Sequence, residues 1–242
     1  MATGMKNEKI LIIIPAYNEE ANIKNVILAL KKANSNFTCL VVNDGSKDNT
    51  QKEAEASKLA ITIELPSNLG IGGAVQTGFK YALYHNYDYA IQFDGDGQHL
   101  PGEIPKILTP LYKNECDACI GSRFIKKTDG FQSTFMRRLG IKFFETLTNM
   151  LIKQKITDST SGFRAYNKKS IAFLAAHYPT DYPEPETIIL LGKNGFRVKE
   201  VSVEMQERQG GQSSISGLKS ARYMIKVSLA ILMAARREKI IR

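Results

Sequence analysis

Asp94 and Asp96 stand one residue apart at the end of the apolar run Ala90-Ile91-Gln92-Phe93. That run reads as a buried strand, and in a strand residues i and i+2 point the same way. The two carboxylates then converge on one spot, and Gln98 joins them if the backbone stays extended. Gly95 and Gly97 leave room for a ligand to approach the main chain. Two carboxylates and an amide oxygen form a hard-oxygen cluster, suited to Mg²⁺ or Mn²⁺ carrying the phosphates of a substrate. The same residue types also make an ordinary polar turn after a strand, and the stretch alone does not separate the two.

Other chemistry-bearing residues also follow apolar runs. Pro15-Ala16-Tyr17-Asn18-Glu19-Glu20 ends one such run and Asn43-Asp44-Gly45-Ser46 ends another. Gly70-Ile71-Gly72-Gly73 resembles a phosphate-cradling glycine loop, but a tight strand-to-helix turn accounts for it equally well. Gly121-Ser122-Arg123-Phe124 presents an arginine, and Asp158-Ser159-Thr160-Ser161-Gly162-Phe163-Arg164 is a polar loop carrying both signs of charge. Tyr182-Pro183-Glu184-Pro185-Glu186 opens a helix, with its acids at the positive N-terminal end. Arg208-Gln209-Gly210-Gly211-Gln212-Ser213-Ser214 reads as a flexible loop. Cys116 and Cys119 form a C-x-x-C, but with no second pair and three His in the chain, a Cys119 packed in a strand at 118–120 is favoured over zinc.

The elements that must position these groups alternate in the first half. Lys9-Ile10-Leu11-Ile12-Ile13-Ile14 is a continuous β-branched run, as expected of a strand buried on both faces of a parallel sheet. Residues 22–32 have helical spacing, 39–42 and 61–65 read as strands, and Ser46 and Asp48 are placed to cap the helix between them. A helix over 74–84 and a strand over 91–93 complete the pattern, which predicts a doubly wound α/β sheet. In such a sheet ligands bind beyond the carboxyl ends of the strands, where Asp44 and Asp94 fall. The second half breaks the alternation. An apolar stripe from Phe135 to Met150 with basic flanks suits either the core or a membrane surface, residues 196–203 read as a strand, and 218–235 as an apolar helix carrying Lys and Arg.

A chain of 242 residues with 43% hydrophobic and 24% charged residues fits one ordinary globular domain. No run reaches the roughly 18 to 20 apolar residues of a membrane span, and no signal peptide is recognisable. Three cysteines make no disulfide framework, so a reducing cytoplasm is expected. The net charge is +9, and residues 217–242 hold seven basic residues against Glu238 alone. Charge so concentrated points to a particular anionic surface. Nucleic acid is disfavoured, because no recognised nucleic-acid motif is present and the tail's apolar content suits lipid better.

Taken together, the Pro15–Glu20 segment, Val42-Asn43-Asp44-Gly45-Ser46, Asn68-Leu69-Gly70 and Asp94-Gly95-Asp96-Gly97-Gln98 resemble the family 2 glycosyltransferases of GT-A fold. The Gly121–Phe124 and Thr160–Arg164 segments bring the resemblance closest to the branch of dolichyl-phosphate mannose synthase and bacterial polyprenyl-phosphate glycosyltransferases. It covers residues 9–215, leaving 1–8 as a disordered start or added remnant and 216–242 as a basic amphipathic C-terminal helix. The resemblance implies a mostly parallel central sheet flanked by helices. It also implies an inverting, metal-dependent transfer from a UDP- or GDP-sugar to a polyprenyl phosphate, at the cytoplasmic face of the membrane. Pro15, Tyr17, Glu19 and Gly70 would line the nucleotide pocket, with Asp44 on the base. Asp94, Asp96 and Gln98 would hold Mg²⁺ or Mn²⁺. Arg123, Arg164 and Arg208 would contact phosphate, with Asp158 in the same substrate site. Glu186 matches the family's acid near the acceptor, as base for a hydroxyl or as an orienting group for a lipid phosphate, with Glu184 second.

Two features depart from the branch. Ser213-Ser214 replaces the usual Ser-Lys, and no transmembrane helix follows the catalytic region. The tail is therefore expected on the membrane surface, against a small membrane protein, or against a second copy of the chain, with an intramolecular helix that closes the catalytic domain as the alternative. Alternative readings are transfer to a saccharide in wall or capsule assembly, and a non-catalytic partner of a membrane assembly.

Overall fold

In a computed structural model of the protein, residues 8–125 and 154–206 are described, with Thr146, Asn149, Met150, Ile152, Lys226, Leu229, Met233, Arg236, Lys239 and Ile240. The first strand, β1 (Ile10–Ala16), lies inside a seven-stranded sheet, and Leu11 to Ile14 are fully buried. Successive side chains alternate between two apolar layers. Leu11 and Ile13 pack on one face with Phe79, Tyr166 and Leu174, and Ile12 and Ile14 on the other with Ile27, Phe93 and Phe163. Burial on both faces is why this strand is an unbroken apolar run.

The helix α1 (Ile23–Ala33) buries Ile23, Val26, Ile27 and Leu30, the positions its spacing predicts. There follow β2 (Thr38–Asn43), α2 (Thr50–Ala56), β3 (Ala60–Glu64), α3 (Gly70–Tyr84) and β4 (Tyr89–Gln92). A short 3₁₀ turn leads into α4 (Ile104–Tyr112), then β5 (Ala118–Ser122), β6 (Arg164–Asn167), α5 (Lys168–His177), α6 (Pro183–Lys193) and β7 (Val198–Ser202). The strand order is β3-β2-β1-β4-β6-β5-β7. Only β6 runs against its neighbours, pairing Gln92 with Arg164 and Ile120 with Arg164. From β1 the chain first winds outward through β2 and β3, then returns to place β4 on the other side of β1. That reversal makes the carboxyl edge between β1 and β4 the natural binding crevice.

Several expectations meet corrections here. The helix α3 begins at Gly70, four residues before the expected start. Its first turn is held by Asp44 Oδ1, which accepts from the Leu69 N–H at 2.7 Å, and by Asn68 Oδ1, which accepts from Gly70 N–H at 3.0 Å. The glycine cluster serves packing as much as ligand access: a Cβ on Gly72 would stand 2.5 Å from the Thr180 carbonyl oxygen. Gly72→Ala is therefore expected to cost about 1–3 kcal/mol through overpacking, read as a lowered thermal midpoint. Ser46 does not cap α2, because its hydroxyl accepts from Asn18 N–H at 3.0 Å, while Asp48 Oδ1 accepts from Thr50 N–H at 3.0 Å.

The elements α4, β6 and α5 have no counterpart among the predicted ones. Arg-Ala-Tyr-Asn carries no apolar alternation, yet it forms β6, and Asn167 then caps α5 by accepting from Ser170 N–H at 3.0 Å. The stripe from Phe135 lies outside the described residues except for Thr146, Asn149 and Met150, and the loop at 208–214 lies outside them altogether. In the C-terminal segment, Lys226, Leu229, Met233 and Arg236 are helical and exposed, at the spacing of one helix face. Ile240 N–H donates to Asn194 Oδ1 at 2.8 Å, which ties the end of the chain to the C-terminus of α6. Among the described residues no helix is long and apolar enough to cross a membrane.

Candidate active site

A cavity of about 290 Å³ opens at the carboxyl edge, lined by Pro15, Tyr17, Glu19, Asp44, Gly70, Asp94 and Asp96 together with Asn68, Ile71 and Gly95. Seven residues singled out from the sequence thus meet at one crevice. They do so because β1, β2 and β4 are parallel neighbours that end together. Glu19 Oε2 accepts from the Asn22 side chain at 2.8 Å, and the Glu19 N–H donates to Thr50 Oγ1 at 2.8 Å, which fixes the turn after β1. Burial raises the Asp44 carboxyl above its ordinary range against the pull of the Leu69 and Gly70 N–H groups.

Gln98 does not line this cavity. Residues 95–97 turn, with Gly97 at φ +77°, so the extended backbone needed to bring Gln98 beside the carboxylates stops before it. The Gln98 N–H instead donates to Asp96 Oδ1 at 3.0 Å, and its carbonyl accepts from Gln206 N–H at 3.0 Å. Among the described residues no three His, Cys, Asp or Glu side chains form a ready metal cluster, around Cys116 and Cys119 or elsewhere. Both cysteines are buried, Cys119 inside β5.

Asp94 sits between His99 and Gly162. His99 Nε2 lies 3.0 Å from Asp94 Oδ2, while Oδ1 is shut off from solvent with no hydrogen-bond partner among the described residues. Burial pushes the Asp94 carboxyl up, but His99 overcomes this by charge and hydrogen bond, with Arg123 and Arg164 adding, and holds it below the usual carboxylate range. Sequence reasoning gave His99 no role. The available signal was a His directly after the carboxylate stretch in a chain that has only three.

The partly exposed Arg123 and the fully buried Asp158 form an ion pair across 35 residues of sequence. Arg123 Nε and NH2 donate to the two Asp158 oxygens, each at 2.8 Å, and NH2 also donates to Thr160 Oγ1 at 3.0 Å. Asp158 is fully buried, so it orients the guanidinium from behind and does not face the crevice. Arg164 is 1% exposed and donates to the Ser161, Ser159 and Glu184 carbonyls at 2.7, 3.0 and 2.8 Å. These bonds tie the 159–162 loop to the start of α6, so the arginine braces the site and its fork is turned to backbone carbonyls where phosphate contact was expected. Arg208 lies outside the described residues.

The two acids of α6 differ as well. Glu186 is 5% exposed, and its Oε1 accepts from Tyr182 N–H at 3.2 Å, bonding back to its own helix start. Glu184 lies within electrostatic reach of Asp94 and Arg164. Burial raises its carboxyl above the usual range, Arg164 opposes the rise, and the charge of Asp94 adds to it.

The sequence profile of the family described as Glycosyl transferase family 2 matches residues 11–174. The chain belongs to that family. Its relatives include a UDP-N-acetylglucosamine–dolichyl-phosphate N-acetylglucosaminyltransferase of Methanococcus voltae, 33% identical over 83% of this chain and 86% of that protein. A polyprenol monophosphomannose synthase of Mycolicibacterium smegmatis is 30% identical over 94% of this chain and 88% of that one. In structure, this family 2 glycosyltransferase is similar to glucosyl-3-phosphoglycerate synthase of Mycobacterium tuberculosis, solved with Mn²⁺, UDP and phosphoglyceric acid. The TM-score is 0.73 at 17% identity, over 96% of this chain and 80% of that one, a likeness that shows the fold. The glycosyltransferase fold is thus the expected GT-A type, with a mostly parallel sheet between helices.

Proposed function

We propose that this glycosyltransferase moves a sugar from a UDP- or GDP-linked donor to a polyprenyl phosphate of undecaprenyl type, with inversion at the anomeric carbon. The observation that carries the reading is the meeting of Tyr17, Asp44, Asp94 and Asp96 in one crevice at the strand-order reversal, in a chain whose relatives are named for dolichyl and polyprenol phosphates. Tyr17, Pro15, Glu19 and Gly70 bound the nucleotide, and Asp44 takes the base.

The residues fit a divalent ion, Mg²⁺ or Mn²⁺. A buried carboxylate oxygen with no partner is costly, and Asp94 Oδ1 is such an atom among the described residues. Asp94 and Asp96 would hold the ion, with Gln98 reaching it only if its loop rearranges. When bound, the ion neutralises the charge that develops on the departing diphosphate. Arg123, aimed by Asp158, together with Arg208, meets the acceptor phosphate, for which a guanidinium fork is suited. A phosphate oxygen of the acceptor attacks the anomeric carbon as the bond to the diphosphate breaks. That oxygen is already anionic near neutral pH, so no strong base is required.

A saccharide acceptor is favoured by one observation, the raised carboxyl of Glu184 near Asp94, because a hydroxyl nucleophile needs a base. Glu184→Gln and Glu186→Gln assayed on both acceptor types separate the readings. With polyprenyl phosphate each variant is expected to keep its rate within about tenfold, whereas losing the base for a hydroxyl costs about 10²- to 10⁴-fold. Transfer of labelled sugar to a saccharide but not to polyprenyl phosphate overturns the first reading.

The enzyme works as a peripheral protein on the cytoplasmic face of the membrane. Leu229 and Met233, 55% and 64% exposed, share a helix face with Lys226 and Arg236. Such a face rests on anionic lipid, where each basic residue contributes about 1 kcal/mol. Truncation after Gly217 is expected to abolish sedimentation with anionic vesicles at low salt. Undiminished binding by the folded truncated chain points instead to another anchor, a small membrane protein or a second copy of the chain.

A further inference from the structure

We infer that His99 is the residue that positions Asp94 for the divalent ion, a claim that rests on the metal reading above and sharpens it. The imidazole is fixed on every side that the described residues define. Its ring stacks on Phe163 with centroids 5.0 Å apart and planes 21° apart, and meets the edge of Phe93 at 5.3 Å. The side chain is 4% exposed.

The main chain around it is pinned as well. His99 forms a backbone bridge with Met205, Gln206 N–H donates to the Gln98 carbonyl at 3.0 Å, and Gln206 Nε2 donates to the Gly97 carbonyl at 2.6 Å. A ring held this way presents Nε2 to Asp94 Oδ2 at 3.0 Å in one orientation only. Nδ1 has no partner among the described residues, so Nε2 is the ring nitrogen that engages the site, donating to the carboxylate.

The same carboxylate rests against Gly162, where an added Cβ would stand 2.7 Å from Oδ2 and 2.9 Å from Oδ1. The donor and this wall together restrict the orientation of the carboxylate. The oxygen not taken by His99, the buried and unpartnered Oδ1, is the one left to the cation. His99 is a positioning residue: it acts through Asp94 and touches neither donor nor acceptor. Partners of this kind govern metal affinity because they fix the orientation and basicity of the ligand.

Mn²⁺ binding, followed by the paramagnetic resonance of the free ion with UDP or GDP present, tests this without reference to turnover. His99→Phe keeps a ring between Phe93 and Phe163 but removes the donor, and is expected to weaken Mn²⁺ binding about 10- to 100-fold with an unchanged melting temperature. His99→Gln returns an N–H near the position of Nε2 and is expected to recover affinity to within about threefold of wild type, a rescue that a purely structural role would not produce. The inference is overturned if His99→Phe binds Mn²⁺ as tightly as the wild-type chain, or if His99→Gln is folded yet as weak as His99→Phe. A wild-type chain that takes up no Mn²⁺ with either nucleotide would overturn the metal reading and this inference with it.

Discussion

Replacing Asp96 by alanine is expected to lower kcat/KM for sugar transfer by about 10²- to 10³-fold or more, the scale on which loss of one charge-stabilising group acts, while leaving the melting temperature nearly unchanged. Asp96 is half-buried at the rim of the crevice and belongs to no strand or helix, so its side chain contributes little to the core. Its acceptor role toward the Gln98 N–H shapes a local turn that water can satisfy in the variant. The leaving diphosphate has no such substitute, because a cation held by one carboxylate in place of two is bound more weakly and placed less well. Chelation by EDTA should reproduce the loss in the wild-type protein, and added Mn²⁺ should reverse it. Full activity in EDTA, or in Asp96→Ala, contradicts the assignment.

Arg164→Ala should act on the fold first and on transfer as a consequence. The guanidinium makes three charge-assisted bonds to the Ser159, Ser161 and Glu184 carbonyls inside the protein. Its removal strands those acceptors in a space too enclosed for free hydration, at a combined cost of about 3–5 kcal/mol, the range for truncating a buried, hydrogen-bonded charged group. Domains are stable by only about 5–15 kcal/mol in total, so a fall of the thermal midpoint by about 10 °C is the expected scale. Arg164→Lys should rescue little, since a single ammonium cannot replace the planar fork that reaches three carbonyls. A midpoint within about 1 °C of wild type for Arg164→Ala, on a scale of a few degrees per kcal/mol, would contradict the bracing role and return Arg164 to the list of ligand-contacting groups.

Much of the crevice was legible because its signals are local. The run Ile10 to Ile14 reads as an interior strand since it is buried on both faces, and Tyr17, Asp44 and Asp94 read as site residues since each follows such a strand. Two of the failures share a physical origin in contacts remote along the chain. Gly72 is small because Thr180 presses on it, and nothing near residue 72 announces that. Arg123 finds Asp158, and Arg164 finds Glu184, only after β6 has inserted between β4 and β5. Gln98 fails for a local reason, the left-handed Gly97, which ends the strand geometry on which its predicted alignment depended. Between Glu184 and Glu186 the sequence ranks Glu186 first by resemblance alone, and what separates them physically, burial and the bond to Tyr182 N–H, is not written in the local residues.

The reversed direction of β6 has a bearing on how this architecture diversifies. Because β6 opposes β4, it begins at the edge where β4 ends, so the segment Ser159 to Phe163 arrives at Asp94 from the opposite chain direction, with Gly162 against its carboxylate. The lining of the crevice is therefore written in residues 15–96, while the segment that backs Asp94 and orients Arg123 is written separately, in residues 158–164. A substitution in that backing segment can shift Asp94 or Arg123 without altering the register of β1, β2 and β4, and the two parts are free to drift separately under selection.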